Sequence, residues 1–157
     1  MGALGHESRE KCFVPKKIDF FADNSLKVES ITAGNYHSVA LTAEGHVYTW
    51  GRGLYGALGN GSNSYSLLPI LNEEFKAMSD EGHKVVKMDA ADDYTGVLWD
   101  NGELQMFGKN DRGQLGVGQG IGMDFVESIV YPQPVVNEDG EPLAIRDFHC
   151  GMNNMLV

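Results

Sequence analysis

The stretch Ile31-Thr32-Ala33-Gly34-Asn35-Tyr36-His37-Ser38-Val39-Ala40-Leu41-Thr42, then Ala43-Glu44-Gly45, then His46-Val47-Tyr48-Thr49-Trp50-Gly51, decides the fold. Ser38–Thr42 alternates well enough for a strand with one buried face, and His46–Trp50 is a second apolar run returning after a Gly turn. Val28–Ile31 supplies a further short strand ahead of them. The unit closes on Gly53-Leu54-Tyr55-Gly56-Ala57-Leu58-Gly59, where glycines provide backbone conformations that a side chain would forbid.

Working outward, the same unit recurs 57 positions on, from Val28–Gly61 to Val85–Gly118. Gly45, Gly51, Gly56, Gly59 and Gly61 fall on Gly102, Gly108, Gly113, Gly116 and Gly118. Ile31 meets Met88, Leu41 meets Leu98, and Trp50 meets Phe107. The N-terminus carries a partial copy at a shift of 54, in which Gly2, Leu4, Gly5, Pro15 and Phe21 match Gly56, Leu58, Gly59, Pro69 and Phe75. The C-terminus carries another at a shift of 117, in which Ile145, Phe148 and Gly151 match Val28, Ile31 and Gly34. In the second copy the hairpin turn is Asp100-Asn101-Gly102, and Asn-Gly between apolar runs predicts a type I′ turn.

A repeat of about four short strands cannot bury both faces of its own sheet. Stacking neighbouring copies radially solves this and leaves only short edges. The predicted fold is therefore all-β: β-propeller blades, each a four-stranded antiparallel sheet. The predicted division is 1–27 as the end of one repeat, 28–84 and 85–144 as full repeats, and 145–157 as the start of another, all in one propeller domain. About two and a half repeats are too few to close a propeller ring. The expectation is a fragment of a longer protein or an arc that another chain completes, since exposed sheet edges are a liability.

The quoted stretch resembles the repeat of the regulator-of-chromosome-condensation family. Ile31–Thr42 matches its first half, Gly45–Gly51 its middle, and Gly108-Lys109-Asn110-Asp111-Arg112-Gly113-Gln114-Leu115-Gly116 its end. The chain departs from the pattern where Ala91 replaces Gly34, and where Tyr94 and Asn154 replace His37. The resemblance implies a propeller that binds proteins. For the founding member it implies nucleotide exchange on a small GTPase and binding to nucleosomes.

Composition narrows the partners. Twelve basic against 22 acidic residues give a formal charge of −10, which repels nucleic-acid phosphates. Arg9, Lys11, Lys16, Lys17 and Lys27 are read as a solvated face. Cys12 and Cys150 have no metal-ligand or disulfide-framework spacing and are read as free buried thiols of a reducing, intracellular compartment; nucleus, cytoplasm and mitochondrion are not distinguished. No apolar run reaches the length of a membrane span.

Gly51-x-Gly53-x-x-Gly56 has the spacing of a dinucleotide fingerprint but no helical pattern after it, so no cofactor is expected. Asn60-Gly61-Ser62 is read as a turn. His37 is read as a structural hydrogen-bonding residue between blades, because no nucleophile pairs with it. Asp89, Asp92, Asp93 and Asp100 lack the pattern of a calcium loop, and Asp92-Asp93 is expected to be exposed as a contact for a basic partner. Leu71, Phe75 and Met78 predict a short amphipathic helix within the connection from Leu71 to His83. The connection from Val117 to Tyr131 carries Ile121, Met123, Phe125, Val126, Ile129 and Tyr131; it either packs onto the blades or docks a partner.

No residues assemble as a catalytic set or a metal set. The function expected is a non-enzymatic scaffold or a subunit of a larger assembly, with protein partners that include a chain completing the ring. The alternative is guanine-nucleotide exchange on a small Ras-like GTPase.

Overall fold

A computed structural model describes residues 2–118 and 128–157. Its order is α1 (Asp19–Asp23), β1 (Val28–Ala33), β2 (His37–Thr42), β3 (Val47–Gly51), β4 (Ser66–Leu71), α2 (Glu73–Asp80), β5 (Val85–Ala91), β6 (Tyr94–Trp99), β7 (Leu104–Lys109), β8 (Ser128–Pro134), β9 (His149–Cys150) and β10 (Met155–Leu156). β1 to β4 form one four-stranded antiparallel sheet in sequential order, and β5 to β8 form a second. β9 and β10 pair as the head of a third. The sequence register holds at the level of pairs: Ile31 faces Ala40 in the first sheet as Met88 faces Val97 in the second.

Each sheet is apolar on both faces, so each must be covered twice. Val39 and Val47 of the first sheet pack against Ala90, Val97, Trp99 and Phe107 of the second. The far face of the second sheet, with Tyr94, Leu98 and Met106, is covered by Ile145 and Phe148 ahead of β9. The far face of the first sheet, with Ala40, Tyr48 and Trp50, is partly covered by Phe21 of α1.

The helix predicted between Leu71 and His83 is α2. Asn72 caps it by accepting a 3.1 Å hydrogen bond from the Phe75 amide, and Glu73 and Glu74 sit where the helix dipole favours anions. Its fully buried Phe75 meets Trp99 and Phe107, each at 5.7 Å between ring centroids. The match of Phe21 to Phe75 carries over to contacts, because Phe21 of α1 meets Trp50 at 5.8 Å. The helices that end the N-terminal partial repeat and the first full repeat thus each plug an aromatic ring onto the next sheet.

The structure corrects the predicted turn at Asn101. Gly102 is at φ +85° and Asn101 is not in the left-handed region, so a type I′ turn is excluded. The Trp99 amide bonds the Glu103 carbonyl at 2.9 Å and the Gly102 amide bonds the Trp99 carbonyl at 3.0 Å. Those bonds enclose a three-residue loop, and such loops need only one left-handed residue, at Gly102. Thr42 to His46 repeats both bonds. Asn60 does form a turn, accepting from the Ser62 amide at 3.2 Å. Both cysteines are free; Cys12 is exposed, contrary to the buried reading, because its segment pairs with no strand.

Candidate protein-interaction face

In an antiparallel meander, alternate loops emerge at the same end. The segments 34–36, 52–65, 92–93 and 151–154 therefore share one end of the stacked sheets with residues 110–118 after β7. The tight turns at Gly45 and Gly102 lie at the opposite end with α2.

The floor of this face is a chain of polar contacts across the seams. Arg52, directly after β3, forms a two-point ion pair with Asp93 of the next repeat, with Nε–Oδ1 at 3.1 Å. The Arg52 guanidinium also lies over Tyr36, 4.0 Å from the ring centroid. The Asn35 amide and side chain reach the Asp92 carbonyl and carboxylate, both at 2.9 Å. Lys109 lies 3.3 Å from Asp92 and 3.4 Å from Asp111.

One layer deeper, His37 Nε2 is 2.7 Å from the Thr95 hydroxyl, and both side chains are fully buried. Burial pushes the His37 pKa down to about 4, with the Arg52 charge adding to that and Asp92 opposing it. The imidazole is thus neutral at pH 7. Although a hydroxyl beside an imidazole is the start of a nucleophile–base pair, this one is sealed from any substrate. The expected structural role for His37 between blades fits this geometry. Tyr94, at the matching position, does the same work at the next seam: its hydroxyl donates toward the Gly151 carbonyl and the Asn154 carbonyl, the latter at 2.7 Å. Burial raises its pKa above the usual tyrosine value.

The expectation of an exposed Asp92-Asp93 pair is corrected. Asp93 is 3% exposed and held by Arg52, while Asp92 is half-buried with φ +43°. An unpaired carboxylate there would be costly, so the acids belong to the floor of the face and not to its outer surface. Sequence reasoning missed Arg52. The available signal was its repeat: a cation follows the strand-closing glycine in both copies, as Arg52 and Lys109.

Exposed aromatic and apolar side chains occur on these loops and on the neighbouring β8: Tyr36 at 38%, Leu54 at 40%, Tyr65 at 47% and Tyr131 at 50%. Tyr131 lies in a segment of β8 bulged between Ile129 and Gln133, against the first repeat's loop. There the Gly61 amide bonds the Val130 carbonyl at 2.8 Å. Gly56, at φ +78°, is pressed so closely on β8 that a Cβ would stand 2.6 Å from the Ile129 carbonyl oxygen. Ile129 itself packs inward against both inter-sheet cores. Ile121, Met123, Phe125 and Val126 fall outside the described residues.

The glycine-rich loop after Gly51 leads through a single 3-10 turn, Leu54–Gly56, into β4 and not into an α-helix. It therefore lacks the helix terminus that a dinucleotide site uses. Asp89 serves the Ala90 and Cys150 amides, and Asp100 lies 3.6 Å from His83, so the four aspartates do not converge. Among the described residues no three His, Cys, Asp or Glu side chains gather as a metal site. No helix among them is long and apolar enough to cross a membrane.

Residues 1–41, 44–98 and 101–157 match the family described as "Regulator of chromosome condensation (RCC1) repeat". A second profile of the same description matches 28–57. The chain is 36% identical over 130 residues to the human E3 ubiquitin-protein ligase HERC2, covering 82% of this chain and 2% of that one. It is 37% identical over 114 residues to the mouse inhibitor of Bruton tyrosine kinase, covering 73% of this chain and 8% of the relative. Among solved structures, Prp20p of Saccharomyces cerevisiae, described with its binding to Gsp1p and histones, superposes with a TM-score of 0.60 at 31% identity. That match covers 76% of this chain and 28% of Prp20p. The chain thus spans a small part of each relative's length.

Proposed function

The chain belongs to the regulator-of-chromosome-condensation (RCC1) repeat family, and from that premise we propose that it is a protein-interaction module whose loop end is the docking face. The observation that carries this reading is the exposure of Tyr36, Leu54 and Tyr65 on the loop-end segments and of Tyr131 beside them at Gly61, with Tyr36 stacked on the Arg52 that pairs with Asp93. Tyrosines are enriched at protein interfaces because they offer large contact area with few torsions to immobilise. Ile121, Met123, Phe125 and Val126 lie outside the described residues, and a part for them in contacting the partner belongs to the same proposal. The charge of −10 favours a protein partner over nucleic acid. The assembly would be intracellular, and a neighbouring chain that completes the ring belongs to the same reading.

The second reading, exchange activity toward a small Ras-like GTPase, is favoured by the similarity to Prp20p and its binding to Gsp1p. In that case the GTPase would meet the same loop end, and the module would act by contact and not by covalent chemistry.

A photo-crosslinking residue placed at Tyr131, compared with one at Glu74 on the opposite end, tests the face. The reading predicts a discrete protein adduct from position 131 and none from 74. Adducts from 74 alone would contradict it. A Ras-like GTPase in the adduct would select the second reading.

A further inference from the structure

We infer that Lys109 is a latch for the docking face: its ammonium holds two backbone-strained residues from adjoining repeats, Tyr55 and Asp92, in the conformation that supports Tyr131. The latch rests on the docking reading only for its consequence at Tyr131, because its action on the loops is read with no partner present.

Four non-glycine residues among those described are left-handed: Glu7, Ser25, Tyr55 and Asp92. Ser25 closes the end of α1, where the Leu26 amide reaches back to the Phe21 carbonyl at 2.7 Å, and a left-handed residue is usual there. Glu7 stands where the first full repeat has Gly61, itself at φ +74°, so the repeat asks for that conformation. Tyr55 and Asp92 differ. Their counterparts one repeat away, Arg112 and Asn35, are not left-handed. Blade geometry thus does not require φ +58° at Tyr55 or φ +43° at Asp92. A side chain in that region is strained, and it stays there only where its neighbours hold it.

One residue touches both. Lys109 Nζ lies 3.3 Å from the Asp92 carboxylate and 5.8 Å from the centroid of the Tyr55 ring, within reach of a cation–π contact. Asn35 holds Asp92 from the other side, its backbone amide and side chain both bonding at 2.9 Å. Asp111, 3.4 Å from Lys109, is not left-handed and balances the charge alone.

The strain at Tyr55 reaches Tyr131 through packed backbone. Gly56 follows Tyr55 and is pressed on Ile129 and Val130 of β8. Tyr131 follows Val130, with its hydroxyl against Gly61. Without the ammonium, Tyr55 is free to leave the left-handed region and Gly56 moves with it. The part of β8 that carries Tyr131 then loses its support.

Amide hydrogen exchange on the full chain, with no partner added, reads the latch directly. The Gly56 amide bonds the Gly53 carbonyl and the Asn35 amide bonds the Asp92 carbonyl. In Lys109→Met both should exchange at least about tenfold faster than in the parent, while the amides of β6 keep their rates. Lys109→Arg keeps the charge and should restore the parent rates, and Asp111→Asn should leave them unchanged. The same variants carrying a photo-crosslinking residue at position 131 read the consequence: the adduct should be lost with Lys109→Met and recovered with Lys109→Arg. Unchanged exchange at Gly56 and Asn35, or equal acceleration throughout β6, overturns the latch whatever the adducts show. Faster local exchange with an undiminished adduct overturns its coupling to Tyr131 and leaves the docking face standing. No adduct from the parent chain counts against the docking face, and the exchange rates alone then decide the latch.

Discussion

His37 on β2 and Thr95 on β6 meet across the seam between two sheets, imidazole Nε2 to hydroxyl at 2.7 Å, with both side chains fully buried. They lie 58 residues apart, and only the stacking of one repeat on the next brings them together. Thr95→Val keeps the shape and removes the partner, leaving a buried polar nitrogen unsatisfied. Urea unfolding should show a loss of about 1–3 kcal/mol. In Thr95→Val combined with His37→Leu the two losses should be less than additive.

Burial also makes His37 a source of acid sensitivity. Its folded pKa of about 4 lies below its unfolded value near 6.5, so folding favours the neutral ring. The associated stability is fully present above about pH 6.5 and falls as the pH drops toward 4. The total is on the order of 3 kcal/mol. Stability measured between pH 7 and 4 should decline with a slope that His37→Gln removes.

The Arg52–Asp93 pair predicts an asymmetric cost. Asp93→Asn leaves a guanidinium with 16% side-chain exposure and no counter-charge, and it should destabilise by about 3–5 kcal/mol. Arg52→Lys should be nearly as damaging, since an ammonium cannot reproduce the two-point contact or the stacking on Tyr36. Thermal unfolding of both variants and of the double change Arg52→Met with Asp93→Leu checks this, the double change being milder than Asp93→Asn.

Phe75 anchors α2 between two sheets, and its truncation opens a cavity against Trp99 and Phe107. Phe75→Ala should cost about 3–5 kcal/mol in equilibrium unfolding. Phe75→Leu should cost less than that.

The repeat register made much of this legible. Phe21 aligns with Phe75 and Trp50 with Phe107, and the structure shows what that register means, two equivalent ring contacts; the spacing of Leu71, Phe75 and Met78 located α2. These inferences worked because each rests on local periodicity or on a copy elsewhere in the chain. Asp93 was misread as exposed because its burial depends on Arg52, 41 residues earlier in the preceding repeat. Nothing local to Asp92-Asp93 signals that partner. The Asn101 turn was misread for a similar reason. Asn-Gly favours a two-residue loop by itself, but the pairing of Trp99 with Glu103 encloses three residues and places the left-handed conformation at Gly102 alone.

The central claim is that the loop end of the stack is a docking face. It is tested most directly by Tyr131→Asp combined with Tyr36→Asp in the intact chain, with partner capture at native expression and melting temperature measured on the same preparations. Tyr131 is half-exposed and Tyr36 stacks on Arg52, so the account predicts loss of the captured partner with only the modest fall in melting temperature that goes with losing one partly exposed cation–π contact, about 0.5–1 kcal/mol. Retention of the partner by a folded double variant would contradict it.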